Sequence, residues 1–350
     1  MIKEFFKNLK NSVKRYISDT LPRYCVSSKR LSILYYFVFD RSFDREIQAV
    51  LAGKISHKDE EKMSKVDYFI LVRNTHRMEK GLLMRPRKDV FGKDYLTEML
   101  NSYESIWKVQ NEDMDNLQLK WFYDVLSEYF SVVNNEDPLI AKEKLRFDKL
   151  SAFVSKEPTK SIPYYRAHAN QTDITFDEFF KLCKQRRSVR WFLNKPVDRN
   201  IIDQAILAAN QSPSACNRQP FEFRIFDDPE IVKHIVDFPM GTSGYGKSIP
   251  VFIVIVGNLD AYFNERDRHI IYIDASLASM SLMFALETLG LGSCSINWPD
   301  IEFREQKMES FLHLEKHQRP IMCMGIGYPD PDGMVAYSEK RPLMHIRKYN

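Results

Sequence analysis

The six residues VFIVIV (Val251–Val256) restrict the fold more than any other stretch of the chain. A strand with one wet face alternates apolar and polar residues, whereas an unbroken apolar run belongs to a strand covered on both faces. The chain must therefore supply apolar layers to either side of a sheet. ASLASMSLMFALETLG (Ala275–Gly290) is apolar nearly all round, the pattern of a buried helix, with Asp274 placed to cap its start and Gly290 its end. IMCMGIG (Ile321–Gly327) reads as a second buried strand and EFRIF (Glu222–Phe226) as an alternating one. FDEFFKLCKQRRS (Phe176–Ser188) and NIIDQAILAAN (Asn200–Asn210) read as helices. A compact unit of mixed helices and strands is expected after Asp173.

Immediately before the apolar run stands GTSGYGKS (Gly241–Ser248), which matches the phosphate-loop pattern G-x-x-x-x-G-K-[ST]. A working phosphate loop leaves a buried strand and runs straight into a helix whose N-terminus faces the anion. Here the preceding IVKHIVDFP has helical spacing, and Pro250 two residues after Ser248 would interrupt the required helix. The order is helix, loop, strand, the reverse of what the mechanism needs, and no strand ends in a convincing metal-holding aspartate. No G-x-G-x-x-G follows a predicted strand either, so a Rossmann dinucleotide site is unsupported. A phosphorylated cofactor would have to be held by side chains.

Composition narrows the class further. The chain has 350 residues, 44% hydrophobic and 28% charged, enough to bury a substantial core. Its five cysteines are odd in number and contain no C-x-x-C pair, which argues against a disulfide framework or a zinc site and suits a reducing compartment. The net charge of +4 is uneven: residues 1–30 carry eight Lys/Arg against two Asp/Glu, a local +6, so the remainder sums to −2. General nucleic-acid binding is not indicated, and the longest apolar runs fall short of the ~18 residues of a membrane span. No signal-peptide core is evident, so a cytoplasmic location is expected.

Residues 1–172 read as a mostly helical N-terminal region and 173–350 as a separate α/β unit. In MIKEFFKNLKNSVKRYI (Met1–Ile17) the apolar residues share one helical face and Lys3, Lys7, Lys10, Lys14 and Arg15 populate the rest. Such a helix lies on an anionic membrane surface or packs on its own protein or a partner. HRMEKGLLMRPR (His76–Arg87) is dense in charge around Gly81 and reads as an anion or substrate contact, or as a salt-bridged helix end. The Ser-, Lys-, Pro- and Asn-containing stretch 151–172 reads as a connection.

Four segments carry candidate chemistry. RRSVRWF puts Arg186, Arg187, Ser188 and Arg190 at a helix-to-loop junction, where arginine forks and a hydroxyl suit phosphate. The bland alternative is a solvated basic helix end. SPSACNRQPF (Ser212–Phe221) offers amides for the polar edge of a planar heterocycle, or is an ordinary capping loop. LGLGSCSINW (Leu289–Trp298) ends a buried helix and frees backbone N–H groups, and YSEKRPL (Tyr337–Leu343) holds a late basic pair. In this order and at these separations, the four segments resemble the FMN-dependent nitroreductase family over about residues 173–345.

That resemblance implies an α+β sandwich with a mainly antiparallel central sheet flanked by helices, in an intertwined homodimer with FMN at the interface. Carried over position by position, Arg186, Arg187, Ser188 and Arg190 would contact the phosphate and ribityl chain. Pro213, Ser214, Ala215 and Asn217 would reach the flavin from the other subunit, and Ser295, Ile296 and Asn297 would line the ring. Lys340, with Arg341 beside it, would complete the phosphate clamp. The implied activity is an NAD(P)H-dependent oxidoreductase that passes electrons through FMN to a small nitroaromatic- or quinone-like acceptor by a ping-pong scheme. The flavin carries the chemistry, so no catalytic side chain and no metal is expected. Phe221 stands where the family commonly has tryptophan, and Asn297 where many relatives have Glu or Gly. Cys216 and Cys294 invite a redox-thiol role, against simple packing of small residues. Two other readings remain open: a specialised flavoprotein acting on a biosynthetic intermediate, and a flavin-fold binding or assembly protein at a membrane surface.

Overall fold

The computed structural model describes residues 2–58, 63–109, 116–150, 159–168 and 171–350. The connection expected over 151–172 therefore lies outside the described residues at 151–158 and 169–170. Four strands, β1 (Phe221–Phe226), β2 (Val251–Asn258), β3 (Gly292–Asn297) and β4 (Gln318–Gly327), form one antiparallel sheet in the order β1-β2-β4-β3. The apolar run occupies the interior position, and every residue of β2 is buried. Its side chains divide strictly by parity. Phe252, Val254 and Val256 enter one core with Val232, Ile235, Met308 and Leu312. Val251, Ile253 and Ile255 enter the opposite core with Ile202, Ala205, Ala275 and Leu282. The first core is roofed by α11 (Pro229–Ile235) and α13 (Glu302–Leu312), the second by α10 (Arg199–Ala209) and α12 (Ile270–Thr288). Burying a large aliphatic or aromatic side chain contributes roughly 1.5–3 kcal/mol, so both layers are held by this one strand.

The flanking helices confirm the expected order with two corrections. Helix α12 starts at Ile270, a turn before the expected cap, because Ile271 continues its buried face. Asp274 is thus an interior residue of the helix and not its N-cap. The expected full burial of α12 also fails: Ala275, Ala278, Leu282 and Leu286 are buried, whereas Ile273, Leu277 and Met280 are exposed. Gly290 does follow the helix in left-handed conformation, φ +76°. Glu265–Thr288 is long and apolar enough by composition to cross a membrane, yet one of its faces is packed on the sheet. LGLGSCSINW, read only as a helix end, contains β3, whose register pairs Gly292 with Gly327 and Asn297 with Met322.

The N-terminal region is helical as expected. The helices α5 (Met63–Leu82), α6 (Lys93–Val109), α7 (Asn116–Val132) and α8 (Pro138–Asp148) enclose a core of their own around Tyr103, Phe122, Tyr129 and Ile140. Helix α4 (Asp44–Ser56) is the seam to the sheet unit. At Gly53 a Cβ would stand 2.7 Å from that of Leu259, so the helix rides directly on the turn after β2. Ala49 and Phe69 share a small core there with Leu259, Tyr262 and Ile271. Arg45 completes the seam, donating Nη2 to Glu302 Oε1 at 2.7 Å and also pairing with Glu309. Before α4, the helices α1 (Ile2–Arg15), α2 (Leu21–Cys25) and α3 (Lys29–Tyr35) keep Phe5, Phe6, Leu9 and Val13 exposed.

The Arg45 pair sets a pH dependence. Its hydrogen bond to Glu302 holds that carboxyl down at about 2, against an ordinary 4.5. A depressed folded-state value stabilises the native state above the ordinary value and loses that contribution as pH falls toward the folded value. Glu302 is largely solvent-exposed, so Glu302→Gln is expected to cost under about 1 kcal/mol at neutral pH. Urea midpoints of wild type and variant should converge as pH falls from about 5 toward about 2; a constant gap would show that the ion pair contributes nothing through its charge.

Candidate functional site

Helix α9 (Phe176–Gln185) begins with a full capping box between Thr175 and Glu178 and ends as Arg186 leaves the helical conformation. The chain then runs alongside β3. Val189 donates its N–H to Ser293 O at 2.9 Å, and Ser188 bridges Ser293 in parallel. Gly292 permits this approach, since a Cβ there would meet Val189 Cγ2 at 2.8 Å. The segment is also pinned from the phosphate-loop look-alike: Ser248 Oγ donates to Arg190 O at 2.8 Å. GTSGYGKS itself runs from α11 through a short 3-10 turn, Gly246–Ser248, into β2. No helix follows it, which confirms that the motif is not a phosphate loop.

This placement gathers residues about 150 positions apart in the chain. Arg186, Arg187, Ser188 and Arg190 line one cavity of about 110 Å³ together with Ala336, Ser338 and Lys340. The sequence reading anticipated all of these except Ala336 and Ser338. Ser338 adopts φ +48°, a departure that its neighbours Tyr337 and Glu339 do not advertise. Arg341, expected beside Lys340, is not among the lining residues; its guanidinium donates to His345 O at 3.3 Å. Arg186 Nε is buried without an acceptor, which leaves a cationic donor unsatisfied. A cavity this small, lined by four cationic residues and two serines, fits a phosphate and not a three-ring heterocycle. The donor set matches the phosphate end of FMN.

The Ser212–Gln219 loop is held in strained form on the outer side of α12. Cys216, Asn217 and Gln219 all have positive φ, at 55°, 56° and 49°. Three such non-glycine residues in one loop persist only where surrounding bonds fix them. Ala215 N donates to Asp274 Oδ2 at 2.9 Å, Ser212 Oγ to Ser281 Oγ at 2.8 Å, and Gln219 N to Ser214 Oγ at 3.1 Å. Burial raises the Asp274 carboxyl, while the bond from Ala215 opposes the rise. Asp274, read from sequence as a helix cap, is the anchor of this loop. Pro213 is exposed, and Ser214, Ala215 and Asn217 are half-buried.

On β3 the side chains alternate. Ser295 and Asn297 point outward, Ser295 Oγ lying 3.1 Å from Met283 Sδ, whereas the Ile296 side chain is in the core. Only the main chain of Ile296 is left to meet a ligand at this strand. Cys294 is buried beside Tyr245, with the phenol oxygen 3.7 Å from its sulfur. Burial, then Cys294, push that phenol up to about 12, while Arg190 opposes the rise. All five cysteines are free, and among the described residues no acidic, histidine or cysteine group could hold a metal ion.

The matches to known proteins fall on about half of the chain. The Nitroreductase family model matches residues 183–243 and 239–328. Iodotyrosine deiodinase 1 of Pongo abelii is 24% identical over 222 residues, 55% of this chain and 76% of that protein. A Methanothermobacter thermautotrophicus protein provisionally named NADH dehydrogenase/NAD(P)H nitroreductase is 27% identical over 175 residues, 49% of this chain and 88% of that one. The solved FMN-dependent nitroreductase of Clostridium difficile R20291 is 23% identical, covering 45% of this chain and 91% of its own, with a TM-score of 0.40.

Asp274→Ala leaves the Ala215 N–H without its acceptor, a loss of about 1–3 kcal/mol, whereas Asp274→Asn keeps an acceptor oxygen and costs less. Hydrogen exchange at Ala215 should accelerate in the alanine variant and much less in the asparagine one; equal protection in both would remove Asp274 as the loop's anchor. Over residues 183–328, which include the sheet and the Arg186–Arg190 segment, this chain is similar to the Nitroreductase family.

Proposed function

We propose that the protein is an FMN-dependent oxidoreductase that uses NAD(P)H to reduce a small acceptor. The observation that carries the reading is the meeting of Arg186, Arg187, Ser188, Arg190 and Lys340 around one phosphate-sized cavity with an unsatisfied guanidinium donor. These residues would hold the FMN phosphate. FMN held there would supply the redox chemistry, hydride uptake from a nicotinamide donor and electron delivery to the acceptor. Ser295 and Asn297, the outward side chains of β3, then border the ring. The strained Pro213–Asn217 loop presents its amides to the ring of a partner subunit.

That last assignment requires a homodimer, which we propose with it. The exposed Ile273, Leu277 and Met280 form an apolar face on α12, and beyond β4 the chain ends in an exposed arm that includes Met334, Tyr337, Met344 and Tyr349. A second copy would cover both. The basic helix α1 supports a further reading, contact with an anionic membrane surface, because Phe5, Phe6, Leu9 and Val13 are exposed beside its lysines. Sedimentation with vesicles rich in phosphatidylserine should decline on removal of residues 2–15. Equal binding to phosphatidylcholine vesicles, or no change on truncation, rejects that contact.

The cofactor reading is tested by absorbance. Purified protein, supplied with FMN if necessary, should show flavin bands that bleach anaerobically on NADH or NADPH. Arg186→Ala removes a charged hydrogen bond of about 1.5–3 kcal/mol and should weaken FMN binding about 10- to 150-fold. No flavin uptake at all would reject the cofactor, and flavin that neither nicotinamide bleaches would reject the donor.

A further inference from the structure

The charge-dense segment His76–Arg87 is the end of α5, which stops at Leu82, and the loop after it, with His76 Nδ1 3.3 Å from Glu79 Oε2, as the helix-end reading expected. Its Glu79 accepts from Trp121 Nε1 at 2.9 Å, and Gly81 is covered by the Phe91 ring. The part of this helix that reaches the sheet unit is the neighbouring face, which packs against the Ala215–Asn217 turn. Arg73 and Arg77, one helical turn apart, share Asn74 Oδ1 as acceptor at 3.1 and 3.2 Å. Asn74 is fully buried and donates in turn to Glu98, so the two guanidinium groups are fixed by one amide. Glu98 also pairs with Arg73 at 2.7 Å. Arg77 stacks on Tyr95 at 3.8 Å and, among the described residues, has no carboxylate partner.

Arg218 joins them from the loop. It is only 6% exposed and lies 4.8 Å from the Tyr262 ring centroid. Among the described residues it has no hydrogen-bond acceptor and no carboxylate within ion-pair distance. Arg218 and Arg77 are near enough to Arg73 to lower its basicity, after burial itself and against the pull of Glu98. Of the groups facing this cluster from other elements, Asp274 lies near Arg218 but beyond ion-pair distance and already accepts from Ala215 N, and burial pushes the nearby His57 toward its neutral form. Three guanidinium groups thus face two carboxylates, Glu98 paired with Arg73 and the more distant Asp274 near Arg218, and among the described residues Arg77 has neither as an ion-pair partner. A buried cation without a counter-charge costs several kcal/mol, so the arrangement calls for an anion from outside the chain.

We propose that Arg218, Arg77 and Arg73 form a carboxylate subsite where α5 meets the Ser212–Gln219 loop, and that the second substrate is a planar organic acid. The subsite rests on the flavin reading only in making its ligand the substrate. Aromatic rings stack on the guanidinium faces, so the N–H edges remain for a ligand, and these edges match a carboxylate in bidentate fashion. The helical region then serves to select substrate, which explains why a charged helix is packed on that loop.

The test is calorimetric titration of the full-length protein with 4-nitrobenzoate, its neutral analogue 4-nitrobenzamide, and inorganic phosphate. Nitrobenzoate should bind at least about tenfold more tightly than nitrobenzamide, the scale of one charge-assisted hydrogen bond. Arg77→Met should abolish that discrimination without changing nitrobenzamide affinity, and Arg77→Lys should restore part of it. Equal affinities in the wild type, or discrimination that survives Arg77→Met, overturn the proposal. So does phosphate competing as well as nitrobenzoate. The wild-type comparison decides even where a variant fails to fold. Flavin absorbance of the same samples separates the two readings: discrimination without flavin sinks the cofactor assignment alone, and flavin without discrimination sinks the subsite alone.

Discussion

Everything in the sheet unit depends on β2 being buried from both sides. Because consecutive side chains of a strand point to opposite faces, an eight-residue strand with no polar face must hold two cores at once. The helices on each side are then not interchangeable ornaments. Those carrying Val232 and Met308 complete one core, and those carrying Ile202 and Leu282 the other. The same arrangement fixes the edge at β3, next to which the Arg186–Arg190 segment can lie. The phosphate-sized cavity is therefore a consequence of where the central strand places its neighbours.

Two constraints bring that cavity together, and neither is a feature of the arginines. Gly292 lets Val189 close on the β3 edge, and Ser248, a residue of a false phosphate loop, holds the carbonyl of Arg190. The motif was informative for the wrong reason. Its glycines serve a turn rather than a cradle: Gly241 and Gly244 have φ of +89° and +92°, conformations that other residues adopt at a cost. Its serine is satisfied by two backbone carbonyls, those of Arg190 and Tyr245. A hydroxyl already engaged in this way has a structural part to play.

The sequence exposed the architecture because periodicity and capping are local signals. VFIVIV and Gly290 each act within a few residues of themselves. It exposed Arg186, Arg187, Ser188, Arg190 and Lys340 because a resemblance links distant segments that periodicity cannot connect. What stayed hidden is pairwise and long-range. Asp274 looks like a helix cap from its neighbours, and only the fold shows Ala215 N above it. Ile296 sits between two outward residues, so a list of motif positions gives it the same standing as Ser295, although strand alternation sends its side chain into the core. The strand β3 itself was obscured because GSCSIN has small and polar residues where β2 has large ones.

The N-terminal helices add the last constraint. They have a core of their own, and they meet the sheet unit at two kinds of contact. At Gly53 and Arg45 the seam is close packing and ion pairing, which fixes position. At Arg73, Arg77 and Arg218 it is cationic and under-neutralised, which packing alone would select against. A seam needed only for stability is better served by apolar residues, as Ala49, Phe69 and Leu259 show a short distance away. The persistence of unpaired guanidinium groups against a strained loop is therefore a cost to folding, and such costs are concentrated where a protein binds.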